Sequence, residues 1–162
     1  MKFIMRTTDD YDRLEKFFVE NDLEFNDDEG YETKVIKCWK ISEASEEDLR
    51  HIKEDNADGQ DFLIAACVLA TRDNCFVIDG IAVDKPLRKF GLGKMLVKKA
   101  VEEVDRLGGD TIYLVARAPE FFRKLGFETM DPEVAPKFFG CRACPQYGKM
   151  CFPEVMKMEL KK

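Results

Sequence analysis

The segment that decides the fold is residues 81–101, IAVDKPLRKFGLGKMLVKKAV, in which an apolar strand runs through a turn into a helix. Gly91 and Gly93 lie in this turn, and the window from Lys85 to Lys99 holds six cations and no acid. A glycine-bearing turn between a strand and a helix presents free backbone N–H groups and the positive end of the helix dipole to a ligand. The segment therefore predicts an anion site.

Two common nucleotide-binding patterns do not fit this segment. A Walker A loop requires a glycine where Arg88 stands and a serine or threonine where Met95 stands. The dinucleotide fingerprint requires a third glycine where Leu96 stands. What remains is Arg-x-x-Gly-x-Gly, formed by Arg88, Gly91 and Gly93 directly after an apolar strand.

Apolar periodicity elsewhere predicts an α/β layered domain in the order βαβ(α)ββαβαβ. Residues 61–70 and 75–84, joined by a turn at 71–74, are apolar on both faces and should be central strands with helices on each side. Residues 91–107 carry the strongest amphipathic helix pattern. Further strands are predicted at residues 2–6, 32–42, 111–116 and 154–160, and further helices at residues 7–21 and 119–126.

Length and composition bound the class of protein. The 162 residues fit one globular domain. The sequence contains no run of about 18 apolar residues, so no membrane span is expected. The first residues lack a secretion signal, so a cytoplasmic location is expected. The net charge of −6 disfavours a nucleic-acid partner, since phosphate neutralisation drives that binding. A local basic patch on an acidic chain suits a small anionic ligand better.

The Arg-x-x-Gly-x-Gly segment and a second motif, at residues 121–127, both occur in the GNAT superfamily of acyl-CoA-dependent N-acetyltransferases, which the chain resembles. Residues 81–101 match its pyrophosphate motif, Arg/Gln-x-x-Gly-x-Gly/Ala, and FFRKLGF at residues 121–127 matches its later Tyr-x-x-x-Gly-Phe motif. The resemblance implies a GNAT fold: a central mixed, mostly antiparallel β-sheet with a splay between two central strands and helices on both faces. Residues 1–162 would form one such domain, with a cysteine-bearing C-terminal segment at residues 137–162.

The resemblance also implies an acetyl-CoA site. Arg88, Lys89 and Lys94 would neutralise the CoA pyrophosphate or the 3′-phosphate, and the backbone of this turn would cradle the pyrophosphate. The strand backbone at 81–83 would pair with the pantetheine arm, with a bulge at Gly80 opening the splay. The implied cofactor-binding residues are Ile81, Ala82, Val83, Arg88, Lys89, Phe90, Gly91, Leu92, Gly93 and Lys94, with Phe121 and Phe122 as the opposite wall.

The candidate catalytic groups include one departure from the family pattern. Many family members place a tyrosine, as acid for the departing thiolate, where this chain has Phe122. Three explanations stay open: the leaving group needs only a water, another hydroxyl such as Tyr147 or Tyr113 substitutes, or the protein binds acyl-CoA without efficient transfer. The best candidate for the base is Asp79, which strand alternation puts on one face with Val77, Ile81 and Val83. Burial there would raise its pKa, although an aspartate satisfied by backbone N–H groups at the bulge is the alternative.

The six cysteines form two groups. Cys38, Cys67 and Cys75 lie in apolar strand patterns and are interpreted as small core residues. The other three, with the spacing Cys-x2-Cys-x6-Cys, are one ligand short of a closed zinc site, and a redox pair or plain loop cysteines are alternatives. The metal candidates are Cys141, Cys144 and Cys151.

The function implied is acetyl-CoA-dependent N-acetylation of a primary amine on a small molecule or amino acid, by direct attack on the thioester. Two alternatives stay open: a non-catalytic acyl-CoA-binding sensor, suggested by Phe122, and a metal- or redox-regulated module through the C-terminal cysteines. Neither a membrane nor a nucleic-acid partner is expected, and the protein could be a monomer or a homodimer.

Overall fold

The fold is built on one seven-stranded sheet in the order β1-β2-β3-β4-β5-β7-β6. The computed structural model describes residues 3–21, 33–43, 63–116, 118–131 and 154–160, apart from the side chain of Lys89. The strands are β1 (Phe3–Thr8), β2 (Thr33–Glu43), β3 (Leu63–Arg72), β4 (Cys75–Val83), β5 (Thr111–Ala116), β6 (Glu128–Thr129) and β7 (Glu154–Glu159). The described helices are α1 (Tyr11–Glu20), α2 (Leu92–Arg106), α3 (Pro119–Lys124) and a 3₁₀ helix at Lys85–Phe90.

The described helices cover both faces of the sheet, as the apolar strands predict. On the face called here the α1 face, Phe17 and Phe18 of α1 cluster with Ala66 and Val68 of β3. The opposite face, called the α2 face, carries α2 and α3 over the alternate residues of β3. All neighbouring strands are antiparallel except β4 and β5, which confirms the predicted mixed sheet.

The β3–β4 hairpin contains the predicted bulge. Val68 pairs with Gly80 and Leu69 pairs with Ile78, so Asp79 is the extra residue between them. A Cβ atom on Gly80 would lie 2.8 Å from the Phe18 ring, so this backbone approaches α1 too closely for a side chain. Two successive residues of β4 therefore face α1, and the alternation of the strand reverses there.

The parallel ladder between β4 and β5 is short. It contains the pairs Phe76–Ile112 and Val77–Tyr113 and ends directly before the bulge. Beyond Val77 the two strands separate, which confirms the predicted splay. In the part of the chain that the structure describes, no helix is long and apolar enough to cross a membrane.

Candidate active site

The N-terminus of α2 has the features that an anion site requires. Gly91 ends the 3₁₀ helix and caps α2 with φ +72°, a left-handed conformation that favours glycine. No side chain caps α2 by a hydrogen bond, and no acid lies in its first turn. The first-turn N–H groups are therefore not occupied by a capping side chain, and they carry the positive end of the helix dipole.

The 3₁₀ helix holds the cationic side chains beside this N-terminus. Arg88 is exposed and donates from Nε to the Val83 carbonyl at 3.1 Å, which ties the turn to the end of β4. Lys94 is exposed on the first turn of α2. The ring of Phe90 packs 5.5 Å from that of Phe3, so this residue anchors the turn to β1. The Leu92 side chain is buried in the core, which leaves only its backbone for a ligand.

Three elements converge where the splay meets α2. A Cβ atom on Gly93 would lie 2.9 Å from Phe121 Cζ and 3.6 Å from Val83 Cγ2. The glycine thus lets the α3 ring lie against the first turn of α2 and the end of β4. Phe121 therefore lies where α2, α3 and β4 meet, and its predicted role as a wall of the cofactor site stays a prediction.

Phe122 has a different environment from Phe121. It is 7% exposed and packs in the α2-face core, edge-on to Phe127. Its predicted contact with the cofactor stays a prediction. Tyr113 packs with Val77 and Val155 on the opposite face of the sheet, so it does not stand in for a hydroxyl at position 122. Tyr147, the other suggested substitute, lies outside the described residues.

The environment of Asp79 corrects the predicted alternation. Because the bulge reverses the strand, Asp79 faces α1, whereas Ile81 and Val83 pack on the α2 face. Its side chain is 4% exposed, and both carboxylate oxygens have partners. Arg72 Nη2 lies 2.5 Å from Oδ1, and the Tyr11 hydroxyl donates to Oδ2 at 3.2 Å. The carboxylate is therefore not an isolated base on an apolar face.

Tyr11 and Arg72 both contact the Asp79 carboxylate, and the sequence patterns identified neither as a candidate site residue. Tyr11 lies at the start of the apolar stripe of α1, where an aromatic ring reads as core, although a tyrosine in such a stripe keeps a polar end. Burial, followed by the charge and the hydrogen bond of Asp79, raises the pKa of Tyr11 well above its usual range. The phenol is therefore protonated at neutral pH and acts as a donor to Asp79.

Three cysteines were predicted to be core residues, and two of them are buried. Cys38 and Cys67 are buried, whereas Cys75 is partly exposed. Burial, with smaller contributions from Asp9 and Asp79, raises the pKa of the Cys38 thiol to about 11. The metal candidates Cys141, Cys144 and Cys151 lie outside the described residues. Within the described ranges, no group of three or more His, Cys, Asp or Glu side chains could hold a metal ion.

Comparison with known proteins identifies the family to which this protein belongs. A sequence model of the acetyltransferase (GNAT) family matches residues 11–127, most of the chain, and the protein belongs to that family. It is accordingly an acyltransferase of the N-acetyltransferase type. An uncharacterised N-acetyltransferase of Chlorobaculum tepidum is 26% identical over 121 residues, which cover 73% of this chain and 77% of that protein.

Solved structures share the fold at low sequence identity. An acetyltransferase of the GNAT family from Staphylococcus aureus has a TM-score of 0.65 at 16% identity, covering 99% of this chain and 100% of that one. A Bacillus subtilis acetyltransferase in complex with CoA has a TM-score of 0.58 at 23% identity, with coverages of 99% and 100%. The Neisseria gonorrhoeae N-acetylglutamate synthase, complexed with coenzyme A and N-acetyl-glutamate, has a TM-score of 0.65 at 13% identity. The match covers all of this chain but 36% of the synthase.

Proposed function

We propose that the protein transfers the acetyl group of acetyl-CoA to a primary amine of a small molecule or amino acid. The observation that carries this proposal is a continuous path through the fold. It runs from the N-terminus of α2, which has a glycine and no side-chain cap, along the edge of β4 that β5 leaves open, to the bulge at Asp79. One end suits a diphosphate, and the other holds titratable groups.

The first half of this path suits the cofactor. The α2 N–H groups would bind the pyrophosphate, with Arg88 and Lys94 neutralising its charge. The pantetheine arm would pair with the backbone of Ile81, Ala82 and Val83 beyond the last β5 partner, as an added strand does. CoA bound in one of the solved relatives supports acetyl-CoA as the cosubstrate.

The second half of the path concerns the amine. A primary amine with a pKa of about 10.4 costs roughly 4–5 kcal/mol to deprotonate at pH 7, whereas a thiol leaves with a pKa near 8.5. A group that accepts a proton from the amine is therefore worth more than an acid on the sulfur. This ordering reduces the importance of the hydroxyl that Phe122 lacks.

We assign proton acceptance to Tyr11 together with Asp79. The carboxylate is buried behind the phenol, and the phenol is the partly exposed member of the pair. As the amine nitrogen bonds to the thioester carbon, its proton passes to Tyr11 Oη while the phenol proton passes to Asp79 Oδ2. The C–S bond then breaks, and the CoA thiolate takes a proton from solvent. Asp79 is reset by losing its proton through Tyr11.

The test is release of free CoA thiol from acetyl-CoA with a panel of amines. Tyr11→Phe should lower kcat by about 10²-fold, the lower end of general acid–base contributions, with little change in the KM for acetyl-CoA. Tyr113→Phe is the matched control, since it removes a phenol hydroxyl from a residue packed in a different cluster. It should change kcat by less than about threefold.

Two outcomes would count against the proposal. If Tyr11→Phe and Tyr113→Phe lowered kcat equally, the assignment of proton acceptance to Tyr11 and Asp79 would be refuted. The proposal of acetyl transfer itself would still stand. No thiol release with any amine, despite tight CoA binding, would instead favour an acyl-CoA sensor.

A further inference from the structure

The side of the Asp79 carboxylate that faces away from Tyr11 is held by an arginine. Arg72 Nη2 donates to Asp79 Oδ1 at 2.5 Å, and Arg72 Nε donates to Thr33 Oγ1 at 2.8 Å. The Tyr11 hydroxyl donates to the other carboxylate oxygen, Oδ2, at 3.2 Å. One carboxylate is thus shared between α1 and β3, and a chain of hydrogen-bonded side chains joins β2, β3, β4 and α1.

The β3–β4 turn fixes where the Arg72 side chain begins. Asp73 and Asn74 form this turn with positive φ angles of 49° and 63°, as a two-residue type I′ turn requires. Arg72 therefore pairs with Cys75 at the end of the ladder. Each strand residue adds about 3.3 Å, so the side chain has to extend along β4 to reach Asp79. The hydrogen bond to Thr33 then holds the extended guanidinium in one place.

Arg72 opposes the other charges that act on this cluster. Burial raises the pKa of Tyr11, the charges of Asp79 and Glu15 raise it further, and the Arg72 charge acts against them. The Asp79 and Arg72 side chains are 4% and 12% exposed, so water screens their charges weakly. An ionised carboxylate withdrawn from water requires a cation or several donors beside it. The other titratable groups whose charges act here are Tyr11, Glu15, Asp9 and Cys38.

The fold itself does not require an ion pair at this position. Ala70 and Val77, on the neighbouring strands between the hairpin turn and the bulge, are buried in an apolar cluster. Replacing a buried ion pair by apolar residues of similar volume often leaves stability unchanged or raises it. What the pair does provide is a carboxylate with a fixed charge and a fixed orientation.

We propose that Arg72 is a positioning residue, which keeps the Asp79 carboxylate ionised and turns its Oδ2 atom toward the Tyr11 hydroxyl. This inference rests on the proposed acetyl transfer and adds the group that prepares its proton relay. Since the guanidinium occupies Oδ1, the phenol proton passes to Oδ2 as Tyr11 Oη takes the proton of the amine. Arg72 stays charged throughout and gives up no proton.

The first measurement follows Asp79 through Tyr11 and does not depend on turnover. Tyrosine labelled with carbon-13 at Cζ is incorporated into the full-length protein, and Tyr11→Phe identifies the Tyr11 NMR signal by its loss. Burial and the neighbouring Asp79 raise the pKa of this phenol, so it stays protonated in acid. A titration step of its signal in acid therefore reports a neighbouring group. Asp79→Asn should abolish the step, whereas a step caused by Asp9 or Glu15 would persist.

Replacement of Arg72 should move the midpoint of this step. Arg72→Gln should raise the midpoint by about one pH unit or more, because loss of an adjacent cation disfavours the ionised carboxylate. Arg72→Lys keeps the charge but not the fixed fork of donors, so it should raise the midpoint by less. Arg106→Gln is the matched control: it removes an arginine from the pair with Glu103, another acid with a largely buried side chain, and should leave the midpoint unchanged.

Release of CoA thiol gives the second measurement. At pH 7, Arg72→Gln and Arg72→Lys should each lower kcat by about tenfold or more, because neither side chain holds Asp79 and Thr33 from two fixed nitrogens. The KM for acetyl-CoA should change less than about twofold. The pH at which kcat reaches half its maximum should rise in Arg72→Gln together with the NMR midpoint. Arg106→Gln should keep the parental kcat.

Different results would refute the role of Arg72 and the acetyl transfer. A parental NMR midpoint in both Arg72 variants, or a parental kcat in Arg72→Lys, would overturn the role of Arg72 even if thiol release proceeds. If Arg72→Gln does not fold, Arg72→Lys decides by the same two readouts. Raised midpoints without thiol release from any amine would support the hold of Arg72 on Asp79 and refute the transfer.

Discussion

Replacement of Asp79 by asparagine is expected to destabilise the fold by about 3 kcal/mol. The Arg72 and Asp79 side chains are 12% and 4% exposed, so the ion pair is largely withdrawn from water. Removing one partner of a buried pair costs about 3–5 kcal/mol because the other charge is left uncompensated. The lower end applies here, since Arg72 Nε still donates to Thr33 Oγ1 at 2.8 Å and the asparagine oxygen can still accept.

Urea unfolding of a double-mutant cycle measures this quantity. Asp79→Asn, Arg72→Met and the double variant should show a coupling of about 2 kcal/mol, since the double variant buries no lone charge. Glu102→Gln, in the exposed Lys99–Glu102 pair with a 3.9 Å separation, is the control and should change stability by less than about 0.5 kcal/mol. A coupling below about 0.5 kcal/mol would refute the reasoning, because the two charges would then be independently solvated.

Changes at the two ends of α2 should act through different physical causes. Gly91→Ala should lower the unfolding free energy by about 1–2 kcal/mol through its positive φ alone, since no atom lies near its Cβ position; a smaller loss in urea unfolding would contradict this. Gly93→Ala should weaken calorimetric CoA binding roughly fivefold by displacing Phe121, and adding Phe121→Leu should restore it. At the other end, the Arg106 hydrogen bond and the Lys37 charge lower the pKa of Glu103. The stability that ionised Glu103 contributes to the folded state should be fully present above the ordinary glutamate pKa of about 4.3. It should be lost as the pH falls through the lower pKa of the folded state. Unfolding of Glu103→Gln should therefore differ from the parent protein at pH 6 and converge with it in acid.

Local patterns predicted the elements because each depends on residues close in sequence. The α2 helix at Leu92–Arg106 and the hairpin strands follow from apolar spacing, and the anion site follows from glycines at fixed offsets. The two-residue β6 and the 3₁₀ helix were not predicted, since both are too short for a period to show. Even the bulge at Gly80 could be anticipated from a glycine within a strand.

The sequence by itself determined the GNAT fold class, the order of the main strands and helices, and the glycine turn before α2. Tertiary structure alone decided which side chains share the α1 face. The extra residue at Asp79 reverses strand alternation, so that carboxylate meets Tyr11 rather than Ile81 and Val83. Arg72 likewise meets that carboxylate only through the β3–β4 register. Register and bulges join residues far apart in the chain, and a period read along one strand contains no information about its partners.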